Sequence, residues 1–255
     1  MRLSTNQIFA IRQAATVAFS QGTSVWLFGS RVHDAKKGGD IDLLVCPQPQ
    51  AHTASDAVKI GMLHAPEIVD VVAWAIDHYQ LKNVVLDPVM VATIGDRLIA
   101  SETVQVLVRE LFPCATLITP NLDEAVLLLG RDISDASVLE SAGRDLLAMG
   151  ARAVLLKGGH MPGDDVMDLL VQPNTPSERL SSCRIHSKNV HGTGCTLSSA
   201  TAAYFALGMG LSDAVHCARQ FIVQAIAHGA DIITGQGHGP LNHGFAPVPM
   251  HALHG

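Results

Sequence analysis

A glycine-rich turn that enters an apolar helix carries the most informative chemistry in the sequence: His191-Gly-Thr-Gly-Cys-Thr-Leu-Ser198. Gly192 and Gly194 allow backbone dihedrals that point successive N–H groups inward, and a helix start adds the positive end of a dipole. A transferring phosphoryl group could therefore bind there. Cys195 falls in the first helical turn, where the helix terminus stabilises a thiolate, so it is a candidate general base for a substrate hydroxyl. An ordinary glycine turn beside a buried thiol fits the same residues.

Polar oxygens follow two other apolar runs. Asp87 ends the run that starts at Val84, and Asn121 and Glu124 lie on one face of a helix that begins after a short strand. The carboxyl ends of parallel strands form the ligand crevice of α/β sheets. Oxygen ligands of this kind suit a Mg²⁺ ion that also holds nucleotide phosphates. Alternatively, Asp87 caps a turn and Asn121 caps a helix.

A lysine follows a further apolar run, Ala153–Leu156, and two glycines come directly after it. Lys157 could neutralise phosphate charge at this strand end, although a solvated lysine before a hairpin fits as well. The later segment from Gly235 to His243 is too rich in glycine for regular structure. It fits a loop on the nucleotide side and a mobile tail equally well.

These residues are far apart in the sequence, so a sheet must bring them together, and the pattern of apolar residues predicts such a sheet. After a predicted helix at 5–20, strands at 24–28 and 41–45 and a proline-rich junction at 46–55, strands and helices alternate. Such alternation predicts parallel strands with helical crossovers, hence a three-layer α/β/α sandwich. The predicted strands of this part are 57–61, 83–87, 115–118, 152–156, 166–171 and 184–188. Its predicted helices are 66–79, 101–111, 121–129, 135–149, 194–208 and 211–229.

Composition excludes several other classes of protein. The formal charge of −6 argues against a phosphate-backbone binder, so no nucleic acid partner is expected. No apolar run reaches the length of a membrane span, and no basic stretch precedes a hydrophobic core at the N-terminus, which predicts a cytoplasmic location without membrane contact. Five widely spaced cysteines without a CxxC pair predict reduced thiols, and the scattered histidines predict no dedicated metal-imidazole site.

With these motifs assembled, residues 56–243 resemble hydroxymethylpyrimidine and phosphomethylpyrimidine kinases, which belong to the ribokinase-like superfamily. The resemblance covers about three quarters of the chain, and the motifs occur in the family's order and spacing. A cysteine in the anion hole distinguishes this group from the sugar and nucleoside kinases, which usually have aspartate there. The matching runs are Ala57–Leu63, Val85–Met90, Ile118–Glu124, Leu155–His160, His191–Ser199 and Gly237–His243.

The resemblance implies ATP-dependent phosphoryl transfer to the hydroxymethyl group of 4-amino-5-hydroxymethyl-2-methylpyrimidine, and then to its monophosphate, by a homo-oligomer. It implies Cys195 as the base and a small-molecule pyrimidine as substrate. Arginine stands at position 219, where family members often have lysine, so a cation is retained. The other implied roles are Gly192 and Gly194 in the anion hole, Asp87 and Glu124 at Mg²⁺, Lys157, Thr193, Asn121 and Arg219 at the nucleotide, and Met62 and Val89 at the pyrimidine.

The front of the chain departs from this family, whose members begin with a strand and a glycine-rich turn. Here Gly29 and Ser30, followed by Asp40 and Asp42, resemble the minimal nucleotidyltransferase signature, in which the carboxylates hold Mg²⁺. We therefore expect a nucleotidyltransferase-like α/β fragment over residues 1–50, and over 51–255 a ribokinase-like domain that lacks its usual N-terminal segment. The two N-terminal strands could cover the sheet edge that this segment would occupy.

Two alternative functions follow from that departure. One is a minimal nucleotidyltransferase that uses Asp40 and Asp42. The other is a fusion that binds nucleotide but does not turn it over, because neither site is complete by resemblance.

Overall fold

The computed structural model describes residues 3–19, 24–28, 42–46, 57–91, 97–133, 135, 138–233, 237 and 239–246. The chain divides into two compact units, Met1–Ala54 with His251–Gly255, and Ser55–Met250. The described helices are α1 (Thr5–Phe19), α2 (Pro66–His78), α3 (Ser101–Leu111), α4 (Leu122–Leu129), α5 (Leu139–Ala148), α6 (Thr193–Ala206) and α7 (Leu211–Ala227). The described strands are β1 (Ser24–Phe28), β2 (Asp42–Cys46), β3 (Val58–Ile60), β4 (Val84–Leu86), β5 (Leu117–Ile118), β6 (Val154–Leu156), β7 (Asp165–Val171) and β8 (Glu178–Cys183).

The described residues of the first unit form one helix and a two-stranded sheet. Helix α1, which confirms the helix predicted near the start of the chain, begins after Ser4, whose hydroxyl caps it by accepting a hydrogen bond from the Gln7 N–H at 3.2 Å. β1 and β2 pair in antiparallel fashion, with Ser24 opposite Cys46. In the described residues they form a two-stranded sheet of their own. The prediction that they cover the edge of the larger sheet stays a prediction.

The second unit is built on a six-stranded sheet in the order β3-β4-β5-β6-β7-β8. The first four strands are parallel, which confirms the predicted βα alternation, and β7 and β8 continue the sheet in antiparallel fashion. The last strand is Glu178–Cys183, so the predicted strand at 184–188 is wrong. Leu180 is buried, but the other five residues of β8 are not. The strand is therefore polar and has no apolar run that would predict it from the sequence. Arg184 instead leaves the sheet and donates to the carbonyls of Gly159 and Gly163.

The sheet lies between two helical layers, which confirms the three-layer α/β/α sandwich. Alternate residues of a strand point to opposite faces. On β6, Val154 and Leu156 pack in the core cluster with α2, α3, α4 and α5, whereas Leu155 packs in the cluster with α6 and α7. Burial on both faces explains why these strands are short, continuous apolar runs that end abruptly in polar residues.

Helix α5 packs closely against β7 at Gly143. A Cβ atom there would lie 2.6 Å from Val171 Cγ2. We predict that Gly143→Ala lowers the free energy of unfolding, although alanine favours a helix by about 1 kcal/mol over glycine. In a Val171→Ala background the obstructing methyl is absent, and the same substitution should stabilise the protein. Urea denaturation of the four variants measures both effects, and a destabilisation of equal size in both backgrounds would contradict the contact.

Candidate active site

Four parallel strands end at one edge of the sheet, and polar residues follow three of them. The registers pair Ile60 with Leu86 and Leu86 with Ile118. Asn121 forms an isolated parallel bridge with Lys157 just beyond the strand ends. The sheet therefore brings together the residues that follow β4, β5 and β6, as the positions of Asp87, Asn121 and Lys157 in the sequence predict.

The centre of this edge is the carboxylate of Asp87, which is 1% exposed. Its Oδ1 accepts hydrogen bonds from Lys157 Nζ at 2.8 Å and from the Thr119 hydroxyl at 3.1 Å. Lys59 Nζ lies 3.9 Å from its Oδ2. One negative charge thus faces two ammonium groups, so this group of three side chains carries a net positive charge. A buried carboxylate requires such partners because desolvation of an unpaired charge is costly.

The glycine-rich turn lies beside this carboxylate. Ser198 Oγ lies 3.3 Å from Asp87 Oδ2 and 3.0 Å from the Gly194 carbonyl, so its proton serves one acceptor at a time. A Cβ atom at Gly194 would lie 2.9 Å from Lys157 Nζ and 4.0 Å from Asp87 Oδ2. The absence of a side chain at position 194 therefore lets the lysine ammonium approach the backbone of the turn.

Helix α6 begins at this turn without a side-chain cap. Gly192 is its N-cap in the left-handed conformation, with φ of 83°, and has no side chain to accept a hydrogen bond. Thr193 and Gly194 open the first turn, and Cys195 is its third residue, with an exposed side chain. N–H groups at a helix start need an acceptor, and an anion can serve. The turn is thus suited to hold a phosphate next to an accessible thiol.

Asn121 and Glu124 form a capping box at the start of α4. The Asn121 side chain accepts from the Glu124 N–H at 2.9 Å, and Glu124 Oε2 accepts from the Asn121 N–H at 2.7 Å. Glu124 is 2% exposed. Burial raises its pKa to about 7, while the positive charge of Lys157 opposes this shift and the negative charge of Asp87 adds to it. The alternative prediction of a helix cap at Asn121 is confirmed, and Glu124 is within electrostatic reach of the Asp87 site.

The remaining predicted residues lie around this centre. Arg219 of α7 donates from Nε to Asp168 Oδ2 at 2.8 Å. Met62 follows β3 and is 50% exposed, and the Val89 N–H bonds to the Asp87 carbonyl at 2.8 Å. Their predicted contacts with nucleotide and pyrimidine stay predictions.

The segment near the C-terminus reaches the start of α6. His243 Nε2 lies 2.9 Å from the Thr196 hydroxyl oxygen. His191 forms an isolated parallel bridge with Pro240. Of the two alternatives for this segment, residues 239–246 therefore fit a loop beside the phosphate turn.

Three side chains near the Asp87 carboxylate were not predicted from the sequence, namely Lys59, Thr119 and Ser198. Neither was Asp168, which accepts from the Gly158 N–H next to Lys157. Two of these four residues carried a readable signal, because Thr119 directly follows a strand and Ser198 lies one helical turn after Gly194. Asp168 carried none, since its partners lie 10 and 51 residues away along the chain.

Two wider predictions can be compared with the described residues. Four of the five cysteines, Cys114, Cys183, Cys195 and Cys217, are free thiols, as expected. Gly29, Ser30 and Asp40 lie outside the described residues, and Asp42 is described only as the first residue of β2. The nucleotidyltransferase signature therefore stays a prediction.

Within the part of the chain that the structure describes, the residues meet the requirements of neither a preformed metal cluster nor a membrane-spanning helix. There, no three histidine, cysteine, aspartate or glutamate side chains gather as a ready metal site. Helices in the same part are too short or too polar to cross a membrane.

The sheet order and the edge that carries Asp87 and the glycine turn define a ribokinase-like kinase fold. The ADP complex of pyridoxal kinase from Bacillus subtilis has the same fold, with a TM-score of 0.68 and 34% sequence identity, over 79% of each chain.

The particular family is given by residues 49–242, which match the family model described as phosphomethylpyrimidine kinase. The chain belongs to this family of phosphotransferases. It is 43% identical over 188 residues to the hydroxymethylpyrimidine/phosphomethylpyrimidine kinase of Rhizobium meliloti, covering 73% of this chain and 70% of that one. It is 46% identical over 188 residues to the thiamine biosynthesis bifunctional protein of Geobacter sulfurreducens, covering 74% of this chain but 38% of that protein. These comparisons give the nucleotidyltransferase alternative no support.

The capping carboxylate of Glu124 makes stability depend on pH. Its pKa is raised from 4.5 to about 7, so its ionised form costs stability, and this cost grows as the pH rises from 4.5 through 7. We predict that Glu124→Gln, which keeps an oxygen for the Asn121 N–H, gains stability relative to the wild type by about 3 kcal/mol between pH 4.5 and pH 8. Denaturant unfolding at pH 5 and pH 8 measures most of this change, and an equal difference at both pH values would contradict it.

Proposed function

We propose that this chain phosphorylates 4-amino-5-hydroxymethyl-2-methylpyrimidine with ATP, and then phosphorylates the monophosphate, in thiamine biosynthesis. The observation that carries the proposal is the uncapped glycine start of α6, which lies against the Asp87–Lys157 pair and presents an exposed Cys195. Family membership supports the acceptor, because relatives of this chain are named for the two pyrimidine substrates.

In the proposed reaction one residue removes the proton of the acceptor and others stabilise the negative charge of the phosphates. Cys195 takes the proton from the acceptor hydroxyl, whose oxygen then bonds to the γ-phosphorus of ATP while the bond to the leaving ADP breaks. The N–H groups at the α6 start and the ammonium of Lys157 face the region where negative charge develops. Positioning and charge stabilisation of this kind supply most of the catalysis in phosphoryl transfer.

The carboxylates of Asp87 and Glu124 offer the oxygen donors that Mg²⁺ prefers. The pKa of Glu124 is high because of burial and the neighbouring charge of Asp87, so a divalent cation beside it would favour the ionised carboxylate. We propose that Asp87 and Glu124 hold Mg²⁺ together with phosphate oxygens, since Mg²⁺ needs only one or two protein carboxylates in such sites. The ion would supply positive charge that offsets the charge of the phosphates.

Three further assignments belong to this proposal. We propose that residues 51–255 form the kinase domain, supported by the compact unit Ser55–Met250, and that residues 1–50 form a separate fragment. We also propose a homo-oligomer, supported by the family resemblance, and the cytoplasmic location that the sequence predicts.

The experiment is a phosphorylation assay on the full chain with ATP and the hydroxymethylpyrimidine, with the products separated by chromatography. Pyridoxal serves as the comparison acceptor because the B. subtilis structural relative is named a pyridoxal kinase. We expect the pyrimidine monophosphate and then the diphosphate. Transfer to pyridoxal alone would reassign the substrate, and no phosphorylated product with either acceptor would contradict the proposal.

Cys195→Ala tests the base. We expect kcat to fall roughly 10²- to 10⁴-fold, the usual contribution of a general base, with little change in KM for ATP. Cys183→Ala is the matched control, because Cys183 is also an exposed thiol but lies on β8. The control should turn over at the wild-type rate. Equal rates for Cys195→Ala and the wild type would remove Cys195 from the chemistry.

A further inference from the structure

A buried carboxylate on β7 joins α7 to the residue that follows Lys157. Asp168 is 6% exposed. Its Oδ1 accepts from the Gly158 N–H at 2.8 Å, and its Oδ2 accepts from Arg219 Nε at 2.8 Å. Hydrogen bonds to an ionised acceptor are about twice as strong as those between neutral groups. The family resemblance implies that Arg219 binds nucleotide, whereas in the structure its guanidinium is hydrogen-bonded to Asp168.

The backbone at Gly158 has little room to move. A Cβ atom there would lie 2.0 Å from the Met167 carbonyl oxygen, so β7 runs directly against this residue. The preceding N–H, that of Lys157, donates to the Pro120 carbonyl at 2.9 Å. Two successive N–H groups are therefore held, one by Pro120 in the segment between β5 and α4 and the other by Asp168 on β7.

This double anchor lies at the start of the lysine side chain. The Lys157 ammonium donates to Asp87 Oδ1 at 2.8 Å, and it lies 2.9 Å from the point that a Cβ atom added at Gly194 would occupy. A change in the backbone direction at Gly158 would move the ammonium relative to the phosphate turn. In an active site, displacements of about 1 Å can cost 10²-fold in rate.

We propose that Asp168 is a positioning residue for the nucleotide phosphates. Its hydrogen bond to the Gly158 N–H fixes the Lys157 backbone and so the ammonium at the glycine turn, while Arg219 offsets the charge of the buried carboxylate. This inference rests on the proposed kinase function, because it assumes that ATP phosphates bind at the turn.

The test compares two double variants that both lack the ion pair. Asp168→Asn with Arg219→Gln keeps an oxygen for the Gly158 N–H, and the ε atoms of glutamine take the place of Arg219 Nε. Asp168→Ala with Arg219→Gln loses that oxygen. Because both lack Arg219, any direct contact of its guanidinium with nucleotide cancels between them. Removal of both charges also avoids an unpaired buried ion, which would destabilise either single variant.

We expect the Kd for ATP, measured by calorimetry in the presence of Mg²⁺, to be roughly tenfold or more higher in the alanine variant than in the asparagine variant. KM for the pyrimidine should be equal in the two. Hydrogen exchange at the Gly158 amide should be faster in the alanine variant. A purely structural role would instead lower the melting temperature and change both substrates together.

The outcomes separate the two proposals. Equal Kd values for ATP and equal exchange at Gly158, with wild-type turnover intact, would overturn the role of Asp168 and leave the kinase function standing. A wild type that binds ATP but phosphorylates no pyrimidine would overturn the substrate alone, while the Kd comparison still decides on Asp168. If the alanine variant is unfolded by circular dichroism, Asp168→Ser with Arg219→Gln replaces it, and an ATP Kd equal to that of the asparagine variant overturns the proposal.

Discussion

The buried carboxylate of Asp87 is the constraint on which the rest of the site depends. It needs positive partners because it is shielded from water, and these are Lys59 of β3 and Lys157, which directly follows β6. The hydroxyls of Thr119, which directly follows β5, and of Ser198 in α6 complete its surroundings. Five elements must therefore be in place before this charge is satisfied, and the same arrangement leaves an excess of positive charge at the glycine turn.

Much of this arrangement can be predicted from short apolar runs that end in polar residues. The runs before Asp87 and Lys157 predict strands whose ends share one edge, because parallel strands buried on both faces need continuous apolar residues. The glycine turn predicts a phosphate site because its chemistry is local. The strand Glu178–Cys183 escaped prediction because it is polar and owes its conformation to pairing with β7.

The roles of Asp168 and Glu124 could not be predicted for a related reason. Asp168 gains its partners only when α7 packs near the β6–β7 turn. Glu124 has the spacing of a metal ligand and also the spacing of a capping box, and the structure shows the second arrangement. Its buried carboxylate, with a pKa near 7, lies close enough to Asp87 for their charges to interact, so one residue can serve the helix and the site.

The start of α6 has a consequence for the energetics of ligand binding. The helices α4 and α6 differ at their first turn, because the side chain of Asn121 caps α4 whereas Gly192, the N-cap of α6, has no side chain to offer. A phosphate bound here acts as the missing N-cap, so occupancy and local order of the helix are thermodynamically linked. The nucleotide would then act as part of the fold, and saturation of the site should protect the first turn of α6 from local unfolding.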